Sequence, residues 1–514
     1  MRYPFNFWQL HILFLLAMVH FPSASNATNI VVSPTDSWST ISSKLTGANA
    51  GDDVALAPGT YFAKGTIYLQ ANASGTAVVK IHAQDYSNPP IWDGAAVATR
   101  DCWQVAGTSP YEITGIVFQN WPNGAGVRAV NGPSLTIRGC EFRNGTQGIT
   151  GAADLFTIEN NHLHDNSDHS VYIYGGGLVM RFNYIHDCKK QNLHNRAVNA
   201  VIEYNWFARP GIYNLDLMGC DNLCGGNNSS LITQKMLLRG NIIENAGAAN
   251  HSQIFPIWRD EANQDGTGTV NNFDLTMVYN TVIGFSNANL NFIHIVNDAG
   301  VTFKVELDNN VLHSLNNLDL IDNSDTNWSI SGTNNWLTTG TAGDTQLLAN
   351  TFSGSDPGFV NTNLAGQNLA PASGSALVGH AKTALANASV PALEYYQNES
   401  NPLQYRTRIS AQDIGAFEHN TAGVGCSWIA CGVPPPTSIP PMTSNDGPGN
   451  SGKSATGNSS GSFSANSTAN DAAGKSGGCI LVSTPDAHQP WMELLLTTAA
   501  LFGLILWKRQ TTVE

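Results

Sequence analysis

A 22-residue period governs the middle of this chain. Val127, Ile149, Val171, Leu193 and Leu215 stand at equal steps, and Ala129, Gly151, Ile173, Asn195 and Leu217 repeat the step two positions later. An apolar row at fixed spacing marks a solenoid, in which each unit buries its face only against its neighbours. A second register runs through the same units as Phe156-Thr-Ile158-Glu-Asn-Asn161-His-Leu163, then Met180, Asn183 and Ile185, then Ile202, Asn205 and Phe207. It continues less regularly through Asn241, Asn280 and Asn310. Each unit therefore reads as three short strands of period two joined by turns, with the repeated Asn placed to stack at one turn and bond neighbouring coils through its amide.

A leucine-rich repeat shares the strand-x-x-Asn-x-apolar signature. The second half of the unit separates the two folds. After Leu163 come Asp165 to His169, the alternation Val171-Tyr-Ile173-Tyr, then the turn residues Gly175-Gly176-Gly177, with no helical face. The expected fold class is all-β, a parallel β-helix solenoid. Composition agrees, since 49 glycines and abundant Asn favour turns over long helices. Lys+Arg total 24 against Asp+Glu 38, a net charge of -14, which disfavours a nucleic-acid or anionic membrane-surface binder.

From about residue 30 to 420 the chain resembles the right-handed parallel β-helix family of pectate-lyase-like proteins, in its bacterial surface form. Besides the coils, the end pieces carry the resemblance. Trp38, Ile41 and Leu45 have the spacing of a short N-terminal capping helix, and Ala57-Pro58-Gly59-Thr60-Tyr61 is similar to the family's first-coil turn. Asp356-Pro357-Gly358-Phe359-Val360 and Asp413-Ile414-Gly415-Ala416-Phe417-Glu418 resemble its closing segments. The resemblance implies a right-handed helix and a polysaccharide partner. The family's lyases often use a Lys or Arg base with Ca²⁺ held by several acids, and this sequence matches no one such motif.

Both termini read as processing signals. Arg2, the apolar run Ile12 to Val19, and Ser25 and Ala27 predict a signal peptide over 1–27, hence export. The expected order is then cap and first coils over 28–102, β-helix over 103–340, capping segment over 341–425, a Pro/Ser/Gly/Asn-rich linker over 426–478 and an anchor over 479–514. The anchor rests on the apolar Trp491 to Trp507 followed by Lys508 and Arg509. With Gly477-Gly478-Cys479 upstream, the tail resembles bacterial C-terminal sorting signals, either cut or kept as a permanent span. Among the 8 cysteines, Cys220/Cys224 and Cys426/Cys431 are the expected local disulfides, with Cys479 assigned to the anchor.

Residues one coil apart become neighbours on an outer face, about 4.8 Å apart. One row alternates charge: Arg138, Glu159, Arg181, Glu203, then Arg239, an expected structural row of exposed pairs worth about 0 to 1 kcal/mol each. A second face carries His162, Tyr184 and Trp206 beside His164, His186 and Ala208, then Asp165 and Asp187 at the turn. Two carboxylates on adjacent coils suit Ca²⁺, or are solvated turn residues fanned apart. A third face holds Tyr172 and Tyr174, then His194 and Arg196, then Asp216. Cleaving a uronic-acid polymer by β-elimination needs the carboxylate neutralised, the adjacent proton removed and the leaving oxygen protonated. Here Arg196 would neutralise, His194 would act as base or polarising group, Tyr172 as base or acid, and Asp216 would orient His194. Tyr174, Lys189 and Arg209 stand near enough to bind substrate, with Lys190 beside them. Insertions at Met218 to Lys235 and Arg259 to Phe273 would wall this face.

The expectation is a monomeric, surface-tethered protein acting on an acidic polysaccharide, most plainly as a lyase, with Ca²⁺ as the candidate cofactor and the membrane met only through the C-terminal segment. A non-catalytic carbohydrate binder or adhesin is one alternative. A glycoside hydrolase using Asp187 and Asp216 is the other.

Overall fold

The repeated Asn predicted to stack does so, and it organises the coils from Asn161 to Asn335. Asn161, Asn183, Asn205, Asn241, Asn280, Asn310 and Asn335 are fully buried at one corner. From Asn183 on, the Oδ1 of each accepts both the main-chain N–H and the amide of the rung before it, and Asn161 Oδ1 accepts the Cys140 N–H. Asn161 donates to Asn183 at 2.9 and 3.0 Å, and Asn280 donates to Asn310 at 3.0 and 2.9 Å. Immediately before each rung the chain passes through the left-handed region, at Asn160, Phe182, Tyr204, Gly240, Tyr279, Asn309 and Asn334. For the aromatic residues that conformation costs roughly 1–2 kcal/mol. Ring packing offsets it, with Phe182 and Tyr204 stacked at 5.2 Å and Tyr405 lying 4.6 Å from Phe182.

In this computed structural model residues 27–431 are described, except 72–76, 97–100, 219–232, 246–252, 259–271, 285–289, 297–301, 315–317, 324–327, 342–344, 364–366, 397–402 and 420–424. Among the described residues the strands form an 18-stranded and a 12-stranded sheet, in both of which all pairings are parallel. The larger sheet holds two stacks. In the strands Gln147–Glu159 and Val171–Arg181 the chain runs from the first stack into the second without a break, bending at Gly151 and Gly175, whose φ values of 117° and 121° exclude a side chain. The smaller sheet is the third stack, built from short strands such as His162–His164, Tyr184–His186 and Trp206–Ala208. Three stacks of parallel strands wound coil upon coil make a parallel β-helix, right-handed as parallel crossovers are.

The predicted register holds. Val171 pairs with Leu193 and Leu193 with Leu215, one coil apart, and all three are buried. The N-terminal helix spans Trp38–Thr46, with the Ser37 hydroxyl accepting from Thr40 N–H at its start and Ile41 and Leu45 buried over the first coil. Ile414, Ala416 and Phe417 of the closing segment pack on Tyr184, Trp206 and Ile283 of the third stack.

One expectation changes sign. The alternating Arg and Glu row is not exposed: Glu159, Arg181, Glu203 and Arg239 are buried, and only Arg138 stays part-exposed. Arg138 binds Glu112 and Glu159, each at 2.9 Å, Arg181 binds Glu159 at 2.5 Å, and Arg239 binds Glu203. The C-terminal segment covers the row, since Arg239 also donates to Ser389 O at 3.2 Å and Arg408 lies over the Tyr279 ring. Within a covered row each charge depends on its neighbours.

The signal peptide, the linker from 432, the anchor tail, Cys479 and the Cys220/Cys224 pair lie outside the described residues. Cys426 is disulfide-bonded, and the side chain of Cys431 is outside the description. Cys102, Cys140 and Cys188 are free and buried. Among the described residues no helix is long and apolar enough to cross a membrane.

Two substitutions test this frame. Arg181→Ala leaves Glu159 with part of its pairing in a covered site and should cost about 3–5 kcal/mol in denaturant unfolding, well above an exposed pair. Asn205→Ala breaks the ladder on both sides and should cost about 2–4 kcal/mol, with unfolding still cooperative.

Candidate functional site

Tyr172, His194 and Asp216 occupy one line across three successive strands of the first stack, and Tyr174 and Arg196 occupy the next. Their side chains point away from the core, yet His194, Arg196 and Asp216 are 7%, 9% and 4% exposed because they cover one another. Arg196 Nε donates to His194 Nε2 at 3.0 Å. Arginine is always a donor, so Nε2 must carry the lone pair and the proton lies on Nδ1. That nitrogen stands 2.9 Å from Asp216 Oδ2, a close polar contact without hydrogen-bond geometry. Burial holds His194 below its ordinary value, with the charge of Arg196 acting the same way and Asp216 opposing. The imidazole is therefore neutral near pH 7. Tyr172 lies edge-on to His194 at 4.3 Å and under the Arg196 guanidinium at 5.8 Å, and Tyr174 meets Tyr172 at 5.7 Å.

The sequence reading missed two members of this group. His169 lies 5.2 Å from the Tyr172 ring and 5.3 Å from His194, and its Nδ1 is 3.0 Å from Asp168 Oδ1. Burial acts to raise the Asp168 carboxyl, but His169 and Lys190 beside it bring it well below the usual carboxylate range. Lys190 Nζ reaches Asp168 at 2.8 Å and Gln147 donates to it at 3.1 Å. Lys190, rather than Lys189 next to it, is thus the lysine tied to this group, through its contact with Asp168. The turn that holds them repeats in register, with Asp168 N–H donating to Thr146 O and Lys190 N–H to Asp168 O.

Other predicted residues belong to a different place. Arg209 sits beyond the third stack, donating to both oxygens of Asp187 at 3.0 and 3.1 Å and to Tyr184 OH at 3.0 Å. It stands with the second face, not beside Tyr172. Asp165 and Asp187 are left-handed turn residues, a conformation Asp tolerates, with φ of 55° and 53°. Asp165 Oδ2 meets His164 at 2.7 Å, and Asp187 Oδ2 meets His186 at 2.5 Å. Their oxygens face histidines and an arginine instead of converging as an oxygen cage, so this pair does not fit Ca²⁺. Asp187 and Asp216 lie on different stacks, each engaged by its own cationic or imidazole partner. Of the insertions expected to wall the Tyr172 face, Met218 to Lys235 and Arg259 to Phe273, residues 219–232 and 259–271 lie outside the described residues, and Thr233 to Lys235 and Asn272 to Phe273 belong to strands of the second stack.

The solved structures similar to this chain include an alginate lyase from Paenibacillus sp. str. FPU-7, at 16% identity and a TM-score of 0.40 over 55% of this chain and 94% of that one. They also include XylC in complex with xylose, at 7% identity and a TM-score of 0.40 over 65% and 87%. A third is the PL6 family alginate lyase AlyGC, at 13% identity and a TM-score of 0.33 over 75% and 57%. All three scores lie below 0.5, so the likeness carries no activity to this chain. No protein-family model matches the sequence, and no curated protein matches it significantly.

The histidines give stability a pH dependence. Burial and the neighbouring His164 and His186 lower His162 to about 3, and burial also lowers His186 and His194. As pH falls below about 6.5 the unfolded chain takes up protons that the fold resists, so stability drops progressively between about pH 6.5 and 3. His164, raised by Glu141 and Asp165 against its burial, works in the opposite sense. Melting temperature should fall across that window, and His162→Asn should flatten the slope.

Proposed function

We propose that the Tyr172 face cleaves an acidic, uronate-containing polysaccharide by β-elimination. The observation that carries this reading is an arginine fixed from behind, with proton-transfer groups beside it. Asp216 orients His194, His194 accepts from Arg196, Tyr172 lies under the guanidinium, and His169 stands against the Tyr172 and His194 rings. Arg196 pairs with the uronate carboxylate and stabilises the negative charge that builds up when the adjacent proton leaves. The lone pair of His194 already accepts from Arg196, so His194 positions the guanidinium and leaves the proton work to its neighbours. His169, with Asp168 at Nδ1, removes the proton through Nε2. Tyr172 protonates the glycosidic oxygen as its bond to the sugar carbon breaks and the new double bond forms. The chain as a whole is acidic, so Arg196 and Lys190 supply the local attraction for a polyanion.

We propose in addition that the protein is exported and held at the cell surface by its C-terminal tail. The signal-peptide pattern, the linker and the cationic stop after Trp507 support this. Truncation before Gly477 should release soluble protein into the medium; full-length protein recovered from the cytoplasm would count against both terminal readings.

A panel of polysaccharides that includes alginate, the substrate in the names of two of the similar structures, tests the activity. A lyase yields unsaturated products that absorb in the ultraviolet, a hydrolase yields reducing ends without that absorbance, and a binder yields neither. Arg196→Ala should reduce turnover by roughly 10²–10³-fold. His169→Ala should reduce it as severely, while Arg143→Ala, on the third stack, should not. Activity should fall toward acid pH, because a protonated His194 can no longer accept from Arg196.

A further inference from the structure

The third stack carries a second group of chemistry-bearing side chains that the lyase reading does not use. His162 and His164 are two apart on one strand and so share its outer face. Glu141 stands in register with His162 one coil earlier, and His186 in register with His164 one coil later. His162 Nε2 lies 2.8 Å from His186 Nε2, and His164 Nε2 lies 3.2 Å from Glu141 Oε1. One ligand atom from each of Glu141, His162 and His164 fits within a 4.8 Å circle of mutual distances. A tetrahedral ion with bonds of about 2.0–2.1 Å needs its ligand atoms roughly 3.3 Å apart, so modest side-chain rotation closes the site.

A second observation concerns the back of the rings. A metal-binding histidine characteristically gives its other N–H to a carboxylate. His164 Nδ1 faces Asp165 at 2.7 Å and His186 Nδ1 faces Asp187 at 2.5 Å. Arg209 Nη2 also comes within 3.1 Å of His186 Nδ1, but a carboxylate at the shorter distance requires the proton there. Arg209 in turn grips Asp187 through both oxygens. With only the proton at Nδ1, the neutral form of each ring turns its Nε2 lone pair inward, one toward Glu141 Oε1, which also accepts from Arg143 at 2.8 Å, and one toward another imidazole. Lone pairs set against lone pairs repel unless a proton or a metal ion lies between them.

We propose that Glu141, His162 and His164, with His186 alongside, bind a divalent late transition metal of the zinc type, clamping three successive coils. Imidazole nitrogens with one carboxylate select such an ion over Ca²⁺ or Mg²⁺, which prefer oxygen alone. Asp165 and Asp187 then act through the rings, as positioning residues.

The test uses the full chain stripped of metal with a chelator and titrated with ZnCl₂ against a competing indicator, with CaCl₂ in parallel. Zinc should bind at micromolar affinity or tighter and raise the melting temperature by a few degrees, while Ca²⁺ does neither. His164→Gln and His162→Ala should each weaken zinc binding at least tenfold and remove the thermal shift, and His82→Ala, remote from the cluster, should change neither. Cu²⁺ bound to the wild type should show nitrogen hyperfine structure in its paramagnetic resonance spectrum, and His164→Gln should lose it. Circular dichroism verifies that each variant is folded. Equal zinc affinity in the wild type and both folded variants would overturn the proposal, as would Ca²⁺ binding as tightly as zinc. Neither outcome bears on the lyase reading, whose residues lie on another stack.

Discussion

The ladder of buried asparagines is the constraint on which the remaining structure depends. Parallel strands only 3 residues long, such as His162–His164, have few hydrogen bonds with which to fix their register. At the adjacent corner each Asn from Asn183 on satisfies two donors of the rung before it and gives its amide to a carbonyl of the preceding coil, as Asn183 does to Ile158 at 2.8 Å. A slip by one residue would leave those donors unpaired in a dry interior, at roughly 1–3 kcal/mol each. Register fixed at the corner propagates along the strands, and so fixes which side chains on separate coils meet outside.

That is why two groups of similar composition behave differently. On the first stack, Tyr172, His194 and Asp216 form a line in which the arginine beside them is held from behind and aimed outward. On the third stack, the same spacing brings imidazoles face to face, with His164 and His186 stacked at 5.2 Å and only 6° between their planes. The first arrangement fixes a guanidinium against an imidazole. The second sets imidazoles against one another.

The inward rows were legible in the sequence because burial admits few residue types and the period is constant. Val171, Leu193 and Leu215 needed nothing beyond counting. The burial of Glu203 and Arg239 was not legible, since the cover comes from Ser389 and its neighbours, about 150 positions later in the chain. Membership of the outward rows could be read, but the roles of their members could not. Arg196 and His194 were seen as separate actors, and only their 3.0 Å contact shows that one occupies the lone pair of the other. His169 escaped because it lies in a turn, where no alternation of polar and apolar residues draws attention to it.

The corner opposite the asparagines has a different character. The strands Leu215–Met218 and Gln253–Trp258 both stop there, and the chain resumes in the second stack at Thr233–Arg239 and Asn272–Val278. In the two coils before them the same passage needs no added residues at all. Length can thus be added at this corner while every rung of the ladder keeps its partner. A lineage of such proteins is free to add length between the first and second stacks by insertion, coil by coil, while the ladder holds the register.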